Sequence, residues 1–540
     1  MSFTPRITPA SPDYAANRAS MLEFVDHLRA LESRAEERSM RRAPTFERRN
    51  QVAPYDRLRL LLDPGAPFLR LFNMANYLVA DPDPETSIPG GSIICGIGYV
   101  SGTRCMVWVD DSGISAGAMT EGGLWLTLEM LKMTRALKLP LIHCVESAGA
   151  DLVKFKVEGW IDAGAVFARL AHLSAAGLPT ISVLHGGSTA GGAYMPGLSD
   201  YVIGVRENGM AALASVGLVK AATGEDVDAR EMGGTEMHAT TSGLVEYLED
   251  TDAHALATAR DLVGRLGWRE RTPEIPRAVD YNEPLHSPDE LAGVVPTDYR
   301  IPYDVREVIA RIVDGSDFLE FKPDYGPGTV CVQASIMGIE VQIIGNNGPI
   351  DPEGATKAAQ FYQLNDQAQK PMVFLHNTTG FIVGTESERR GMVKHGSKMV
   401  QGAANIRVPK ITFHLGASFG AGNYAMCGWA YEPDFLFSWP NSRSNVMGGE
   451  QAGKTMSLVA RTIAARKGEE PDEDAIIARE NQIIDYFTSQ ESAFYTSGRV
   501  LDHGVIDPRD TRRVLGFALD LCADAALREV RPNSFGVARL

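Results

Sequence analysis

Several features that mark common classes of protein are missing from this sequence. Its six cysteines form no Cys-x-x-Cys pair, so a zinc ribbon is disfavoured and a reducing compartment is expected. No run of about 18 apolar residues occurs, and the first residues lack a charged segment followed by an apolar one. These absences favour a cytoplasmic protein with no membrane association.

Basic residues are also too few for a nucleic-acid-binding surface. The sequence contains 52 Lys and Arg against 68 Asp and Glu, which gives a net charge of −16. Binding to a phosphate backbone requires concentrated positive charge, so nucleic acid is disfavoured as a partner. An acidic chain can still bind a phosphorylated cofactor through backbone amides and a few local cations.

Two short motifs match known cofactor sites, but their surroundings do not. The segment 448–455 satisfies the P-loop pattern, yet it follows the polar, proline-broken segment 439–445 instead of a buried strand. The segment 129–133 resembles the hairpin on which biotin is attached, but leucines surround it at helical spacing. We therefore predict no ATP site, no metal site and no biotin attachment on this chain.

The most informative feature present is an internal repeat. The stretch from Gly102 to Asp111 is matched by Gly338 to Asn347, and Pro140 to Gly149 is matched by Pro371 to Gly380. A third pair has equal lengths, Pro179 to Tyr194 and Pro409 to Tyr424, and both members enclose a glycine-rich turn. Three spacings kept in order predict two related domains, each with a glycine-rich turn after a buried strand.

Each copy alternates strands with helices. A hairpin (93–100 and 105–109), short buried strands (141–145 and 180–184) and helices (124–137 and 166–176) predict βαβ units and an α/β fold. The proline-containing segment 268–300 is predicted to link the domains, which we place at 1–285 and 286–540. An amphipathic helix is predicted to begin near Met21, after a loosely ordered segment.

The doubled turns point to stabilisation of negative charge. A strand that ends in small residues and enters a helix directs backbone N–H groups at one point, where glycine admits a ligand. A lone turn of this kind is more often a packing device, but two matched copies favour two oxyanion holes. Ser147 lies in no Gly-x-Ser-x-Gly elbow, and we interpret four strand histidines as core residues: His143, His185, His376 and His414.

Several longer motifs make the sequence similar to one enzyme family. They are residues 189–194, 218–225, 303–315, 377–384, 418–428 and 446–452. With them, the chain resembles the carboxyltransferase (β) subunit of a biotin-dependent acyl-CoA carboxylase over about residues 50–540. Two oxyanion holes without a protein base suit a reaction in which both reactants pass through enolates.

The resemblance implies a fold and a site. The fold would be two tandem crotonase-like domains, each a β-β-α superhelix, of which the first binds acyl-CoA and the second binds biotin. Gly191 and Gly192 would hold the acyl thioester oxygen, whereas Ala421 and Gly422 would hold the biotin ureido oxygen. The other implied substrate-binding residues are Ser147, Ala148, Gly149, Ala163, Ala190, Thr379, Gly380, Phe381, Asn423 and Tyr424.

The motifs are most similar to the branch of the family that acts on methylcrotonyl-CoA and geranyl-CoA. Carboxylation would then occur at the γ carbon of a branched α,β-unsaturated acyl-CoA. The chain departs from the methylcrotonyl pattern at Glu146–Gly149, which replaces Asp-Ser-Gly-Gly, and at Ala163, which replaces Phe. A missing ring at position 163 would enlarge the acyl pocket and favour a longer chain such as geranyl.

The resemblance also implies partners. A biotin carboxylase and biotin carboxyl carrier (α) subunit would supply carboxybiotin, and the chain would form a hexamer, a trimer of dimers with active sites at dimer interfaces. Alternatives are a propionyl-CoA or acetyl-CoA carboxyltransferase and a crotonase-type hydratase or isomerase, for which Glu146 and Glu225 are weak acid–base candidates. A third alternative is an acyl-CoA-binding scaffold without activity.

Overall fold

Two compact α/β units make up the chain in the computed structural model, which describes residues 3–150, 156–273 and 280–537. The N-unit comprises Arg29–Ile275, Gly498–Val500 and Leu521–Leu540. The C-unit comprises Met1–Leu28, Pro276–Ser497 and Leu501–Asp520. The α/β class predicted from the alternation of strands and helices is confirmed.

One half of the repeat contains the following elements, numbered in chain order. Its strands are β1 Leu69–Leu71, β2 Ile93–Val100, β3 Thr103–Asp110, β4 Leu141–Ser147, β5 Thr180–Thr189, β6 Tyr201–Val205, β7 Met210–Ala212 and β8 Tyr247–Glu249. Its helices are α1 Pro12–Met40, α2 Ala43–Arg48, α3 Pro54–Leu61, α4 Glu121–Ala136, α5 Val157–Ala175, α6 Tyr194–Gly197, α7 Val216–Thr223, α8 Ala229–Gly233, α9 Thr235–Met237 and α10 Asp252–Arg265. A 3₁₀ turn, Ala190–Ala193, joins β5 to α6.

The other half follows the same plan. Its strands are β9 Phe318–Glu320, β10 Thr329–Ile336, β11 Ile339–Asn346, β12 Met372–Thr378, β13 Lys410–Phe419, β14 Phe435–Ser438 and β15 Arg443–Asn445. Its helices are α11 Leu291–Val294, α12 Arg306–Ile312, α13 Pro352–Ala368, α14 Thr385–Arg389, α15 Met392–Asn405, α16 Gly420–Ala425, α17 Gly449–Lys467, α18 Glu473–Thr488, α19 Ala493–Gly498 and α20 Thr511–Leu527.

The two sheets share one topology. In the N-unit the hydrogen-bonded order is β1-β2-β3-β4-β5-β6-β8, with β7 paired to β5. In the C-unit it is β14-β13-β12-β11-β10-β9, with β15 paired to β13. Each sheet begins with an antiparallel hairpin (β2–β3 or β10–β11) and continues with parallel strands. The register agrees as well, because Ser147 pairs with Ser188 in one sheet and Thr378 pairs with Ser418 in the other.

A matched aspartate fastens the hairpin of each copy. Asp63, after α3, accepts hydrogen bonds from the backbone N–H groups of Ser101 and Gly102 at 2.9 and 2.7 Å. Asp314, after α12, accepts bonds at 2.8 Å from the N–H groups of Met337 and Gly338. Each aspartate also forms an ion pair with an arginine. The Asp63 carboxylate lies 2.8 Å from the guanidinium of Arg260, and the Asp314 carboxylate lies 2.9 Å from that of Arg512. The predicted duplication is therefore visible in the side chains as well as in the strands.

Apolar clusters beneath the two sheets hold the layers together. In the N-unit, Val107, Ile142 and Val183 from neighbouring strands pack with Leu256 of α10. In the C-unit, Ile344 and Phe374 pack with Tyr362 of α13 and Met399 of α15. All six cysteines are buried, as expected for small core residues. In the described part of the chain, no helix is long and apolar enough to cross a bilayer.

The structure differs from expectation at the start of the chain and within the segment 268–300. The segment before Met21 is ordered, because α1 begins at Pro12 and the Glu307 carboxylate accepts a 2.6 Å hydrogen bond from the N–H of Arg6. The segment 268–300 is only partly a linker, because Leu291–Val294 forms a buried helix. Residues 274–279 of that segment lie outside the described residues. Distant hydrogen bonds hold the first segment, and burial of apolar side chains orders part of the second, although both have a composition typical of loops.

Candidate functional site

The first glycine-rich turn joins β5 to α6. Ala190 takes a positive φ of 54°, which a residue with a side chain rarely adopts, so the turn carries local backbone strain. Gly192 is buried, and a Cβ on it would lie 2.9 Å from the Ser188 hydroxyl. Gly191 is exposed and faces Phe167 of α5. The backbone is therefore open to a ligand at Gly191 and closely packed behind it.

The second turn repeats this geometry at the junction of β13 and α16. Gly420 occupies the position equivalent to Ala190 and has a φ of 55°. Gly422 is buried, and a Cβ on it would lie 2.9 Å from the Cα of Gly380. Ala421 is exposed, like Gly191. The first N–H groups of a helix have no partner within the helix, so both turns offer free donors.

The neighbouring parallel strand brings a second predicted loop to each turn. Gly149, with a φ of 83°, would place a Cβ 3.3 Å from the carbonyl oxygen of Thr189. Gly380, with a φ of 108°, would place one 3.4 Å from the carbonyl oxygen of Phe419. Parallel strands end at the same edge of a sheet, which explains why segments so distant in sequence meet there. The loop Ser147–Gly149 thus lies beside the first turn, and Thr379–Phe381 begins beside the second.

Hydroxyl groups hold these loops in shape. Ser147 donates to the carbonyl oxygen of Gly117 at 2.8 Å and accepts from the N–H of Gly149 at 3.2 Å. In the other copy, Thr378 accepts from the N–H of Gly380 at 3.1 Å. Ala148 and Thr379 are exposed beyond these bonds. Both hydrogen bonds of the Ser147 hydroxyl are therefore made to the backbone.

Helix α5 supplies the side chains next to the first turn. Ala163 is half-buried, and Phe167 follows it by four residues, so both lie on one face of the helix. The Phe167 ring packs edge-on against Tyr194 at 5.8 Å between centroids. Tyr194 and its counterpart Tyr424 are 50% and 49% exposed. A side chain at position 163 therefore lies one helical turn from the ring that faces Gly191.

A buried charge network lies behind the first loop. Arg57 is fully buried and donates to the Glu146 carboxylate at 2.7 Å. His185 bonds Asp252 at 2.7 Å, and Gln51 donates to the carbonyl oxygen of His185. Burial raises the pKa of Asp252, but His185 and Arg57 outweigh this and hold the pKa below its usual value. Burial and Arg57 lower the pKa of His185. Glu146 is thus an ion-paired residue, which weakens it as an acid–base catalyst.

The matching position behind the second loop is neutral. Asn377 stands where the first copy has Glu146, and its side-chain oxygen accepts from the N–H of Ala417 at 3.1 Å. His376 is buried, and burial lowers its pKa to about 4. All four strand histidines are buried, which confirms their interpretation as core residues. Sequence reasoning missed the network around Arg57, because Gln51 and Asp252 lie outside the repeated motifs and reach Arg57 only through tertiary packing.

A cavity of about 440 Å³ opens beside the second turn. Its lining includes Thr379 and Phe419 from the site, together with Tyr299, Gly448, Glu450, Gln451, Lys454, Thr455 and Leu458. The P-loop-like segment therefore forms one wall, and from Gly449 onward it is the start of α17. A helical segment cannot wrap around phosphate groups as a P-loop does. The segment 129–133 is likewise helical and buries Met130, Leu131 and Met133 within α4, as predicted.

Comparison with known proteins adds independent findings. The carboxyl transferase domain family matches residues 47–535. A probable biotin-dependent acyl-coenzyme A carboxylase β2 subunit of Mycobacterium tuberculosis is 44% identical over 91% of each chain. The β1 subunit of a biotin-dependent 3-methylcrotonyl-coenzyme A carboxylase from the same organism is 41% identical over 99% of this chain and 100% of its own. The β subunit of P. aeruginosa geranyl-CoA carboxylase has 46% identity and a TM-score of 0.92, covering 100% of both chains, which confirms the predicted crotonase-like fold.

Proposed function

Because the chain belongs to the carboxyl transferase family, as the β subunit of a biotin-dependent acyl-CoA carboxylase, we propose how its two turns divide the reaction. The first turn binds the acyl-CoA thioester, and the second binds carboxybiotin carried by a partner (α) subunit. The carboxyl group moves to the γ carbon of a branched α,β-unsaturated acyl-CoA, either 3-methylcrotonyl-CoA or geranyl-CoA. The observation that carries this proposal is the repeated pairing of turn and loop, Gly149 beside Thr189 and Gly380 beside Phe419.

In the first turn, the N–H groups of Gly191 and Gly192 hold the thioester oxygen. Loss of a γ proton spreads negative charge over a dienolate and concentrates it on that oxygen. Donors fixed in place before the reaction stabilise this charge without reorganisation, and one such donor is typically worth a few kcal/mol. At this turn we assign four residues to acyl binding: Ser147, Ala148, Gly149 and Ala190. Tyr194 follows the turn and is not part of this assignment.

In the second turn, the N–H groups of Ala421 and Gly422 hold the ureido oxygen of biotin. The adjacent cavity, with Thr379 and Phe419 on its wall, accommodates a bicyclic ring, and we assign Gly380, Phe381, Asn423 and Tyr424 to the same site. Carboxybiotin supplies the carboxyl group and, once decarboxylated, the base that removes the proton. The chain itself positions the reactants and stabilises charge.

The length of the acyl chain depends on Ala163 in this proposal. Its small side chain, one turn from Phe167, leaves room along α5 that a phenylalanine would fill. The extra volume supports a longer substrate such as geranyl-CoA. Exposed apolar side chains on the same end of α5, Trp160 at 67% and Ile161 at 64%, support contact with a second subunit.

The assembly and domain roles are part of the same proposal. We assign acyl-CoA binding to 1–285 and biotin binding to 286–540, with each active site shared between two subunits of a hexamer built as a trimer of dimers. Exposed Leu458, Ile463 and Ile477 on α17 and α18 give the C-unit an apolar face that suits such contacts. Six buried cysteines without a Cys-x-x-Cys pair support a cytoplasmic location.

The decisive experiment is a substrate panel with the biotin-carrying subunit present. Transfer of the carboxyl group from carboxybiotin to methylcrotonyl-, geranyl- and propionyl-CoA is compared in one assay. We expect activity with the first two, a preference for geranyl-CoA, and none without the partner. A strong preference for propionyl-CoA would overturn the γ-carbon assignment, and hydration of an enoyl-CoA without carboxylation would favour the hydratase alternative.

A further inference from the structure

The second turn has a polar support that the first turn lacks. His376, at the end of β12, bonds the Ser418 hydroxyl through Nδ1 at 2.8 Å. Asn423, on α16, donates from Nδ2 to the same hydroxyl oxygen at 2.8 Å. The corresponding residues of the first copy are Val145, Ser188 and Ala193, so only the serine is shared. Within the described residues, the hydroxyl of Ser188 has no hydrogen-bond partner.

The direction of each of these hydrogen bonds follows from the carbonyl group to which His376 is bonded. The Nε2 atom of His376 lies 2.5 Å from the carbonyl oxygen of Met426, and a carbonyl only accepts, so Nε2 carries the proton. The Nδ1 atom is then an acceptor, and the hydroxyl of Ser418 must donate to it. The hydroxyl oxygen in turn accepts from Asn423. Asn423 therefore donates to Ser418, Ser418 donates to His376, and His376 donates to the carbonyl oxygen of Met426. Only one arrangement of these protons satisfies all three hydrogen bonds.

Packing fixes the asparagine at the end of this chain. A Cβ on Gly428 would lie 2.0 Å from the side-chain oxygen of Asn423, so the amide rests against bare backbone. The N–H of Gly428 also donates to the carbonyl oxygen of Asn423 at 2.8 Å. Burial of His376 keeps its ring neutral, which preserves the acceptor at Nδ1. The residue that follows Ala421 and Gly422 is therefore held at both its backbone and its side chain.

We propose that His376, Ser418 and Asn423 form a positioning relay that aims the N–H groups of Ala421 and Gly422 at the ureido oxygen of biotin. The inference rests on the proposed function, since that function assigns the second turn to biotin. The relay gives Asn423 a positioning role, because its amide N–H points into the protein. The relay belongs to the second copy alone, so it affects use of biotin and leaves use of acyl-CoA unchanged.

The test uses the reverse reaction, in which the intact β subunit carboxylates biocytin, a free biotin amide, from the carboxylated acyl-CoA. Separate titrations give kcat/KM for biocytin and KM for the carboxylated acyl-CoA. Ser418→Ala removes both hydrogen bonds of that hydroxyl, so we expect it to lower kcat/KM for biocytin about tenfold or more, with KM for the acyl-CoA unchanged. Ser188→Ala is the matched control and changes neither, whereas Ser418→Thr keeps the hydroxyl and most of the activity.

A double mutant separates a relay from a general loss of structure. If Ser418 and Asn423 act together, Ser418→Ala combined with Asn423→Ala loses no more than Asn423→Ala alone. Additive losses, or equal effects on biocytin and acyl-CoA, would overturn the relay while the wild type still transfers carboxyl groups. Should Ser418→Ala not fold, Asn423→Ala at the half-buried end of the relay gives the same biocytin comparison. An inactive wild type would instead overturn the proposed function, and the relay with it.

Discussion

Removal of the Glu146 carboxylate should destabilise the N-unit far more than the equivalent change in the C-unit. Arg57 is fully buried, and its 2.7 Å bond to Glu146 is its closest ion pair among the described residues. The next carboxylate, Asp252, lies 4.0 Å from Arg57 Nε. Breaking a buried pair from one side typically costs about 3–5 kcal/mol, because a buried charge is left without compensation. Since Asp252 offsets part of this loss, we expect about 3 kcal/mol for Glu146→Ala.

The matched variant is Asn377→Ala, at the same place in the second copy. Its side chain is neutral and accepts one backbone N–H at 3.1 Å, so its loss should lower the free energy of unfolding by about 1 kcal/mol. Urea unfolding of the β subunit, followed through its first transition, measures both variants. A double variant, Arg57→Met with Glu146→Leu, should recover most of the stability, because no buried charge remains.

Equal losses from Glu146→Ala and Asn377→Ala would refute this reasoning. They would mean that Asp252 neutralises Arg57 without help, or that water reaches the pair when the carboxylate is removed. A double variant as unstable as Glu146→Ala would also count against it, because the penalty would then come from packing and not from charge.

Three further predictions concern the two sites. Gly422→Ala should lower carboxyl transfer about 100-fold or more, since its Cβ would meet the Gly380 backbone at 2.9 Å, whereas Gly217→Ala, with open space around it, should be neutral in the same assay. Ala163→Phe should shift the ratio of kcat/KM for geranyl-CoA to that for methylcrotonyl-CoA at least about tenfold toward the shorter substrate; an unchanged ratio would contradict a role for α5 in chain length. Burial lowers the pKa of His376 from 6.5 to about 4, so its stabilising contribution is complete above pH 6.5 and is lost as the pH falls toward 4. Between pH 7 and pH 5 the wild type should therefore lose about 2 kcal/mol more than His376→Gln in urea unfolding, and parallel pH profiles would count against this.

Short-range patterns in the sequence predicted the strands, the hairpins and the two turns, because each depends on neighbouring residues. The hairpin at 93–109 follows from two apolar runs on either side of Gly102, and β2 and β3 form it. The strand that leads into Ala190 is apolar and ends in small residues, and β5 ends there at Thr189. The first helix was predicted to begin too late, since its early residues are held by distant contacts such as the bond from Asn17 to the carbonyl oxygen of Gly293.

The internal repeat is what the sequence by itself determined: two α/β copies, each with one strand-to-helix turn, in an enzyme of the carboxyl transferase family. The equal spacing of matching residues in the two copies is enough to infer this duplication, even when no tertiary contact is known. Only the tertiary structure decided what supports each turn. Glu146 meets Arg57 in the first copy, and His376 meets Ser418 and Asn423 in the second. Such contacts depend on how parallel strands and helices bring distant residues together. The groups that meet in the first copy form a buried ion pair, whereas those that meet in the second form uncharged hydrogen bonds.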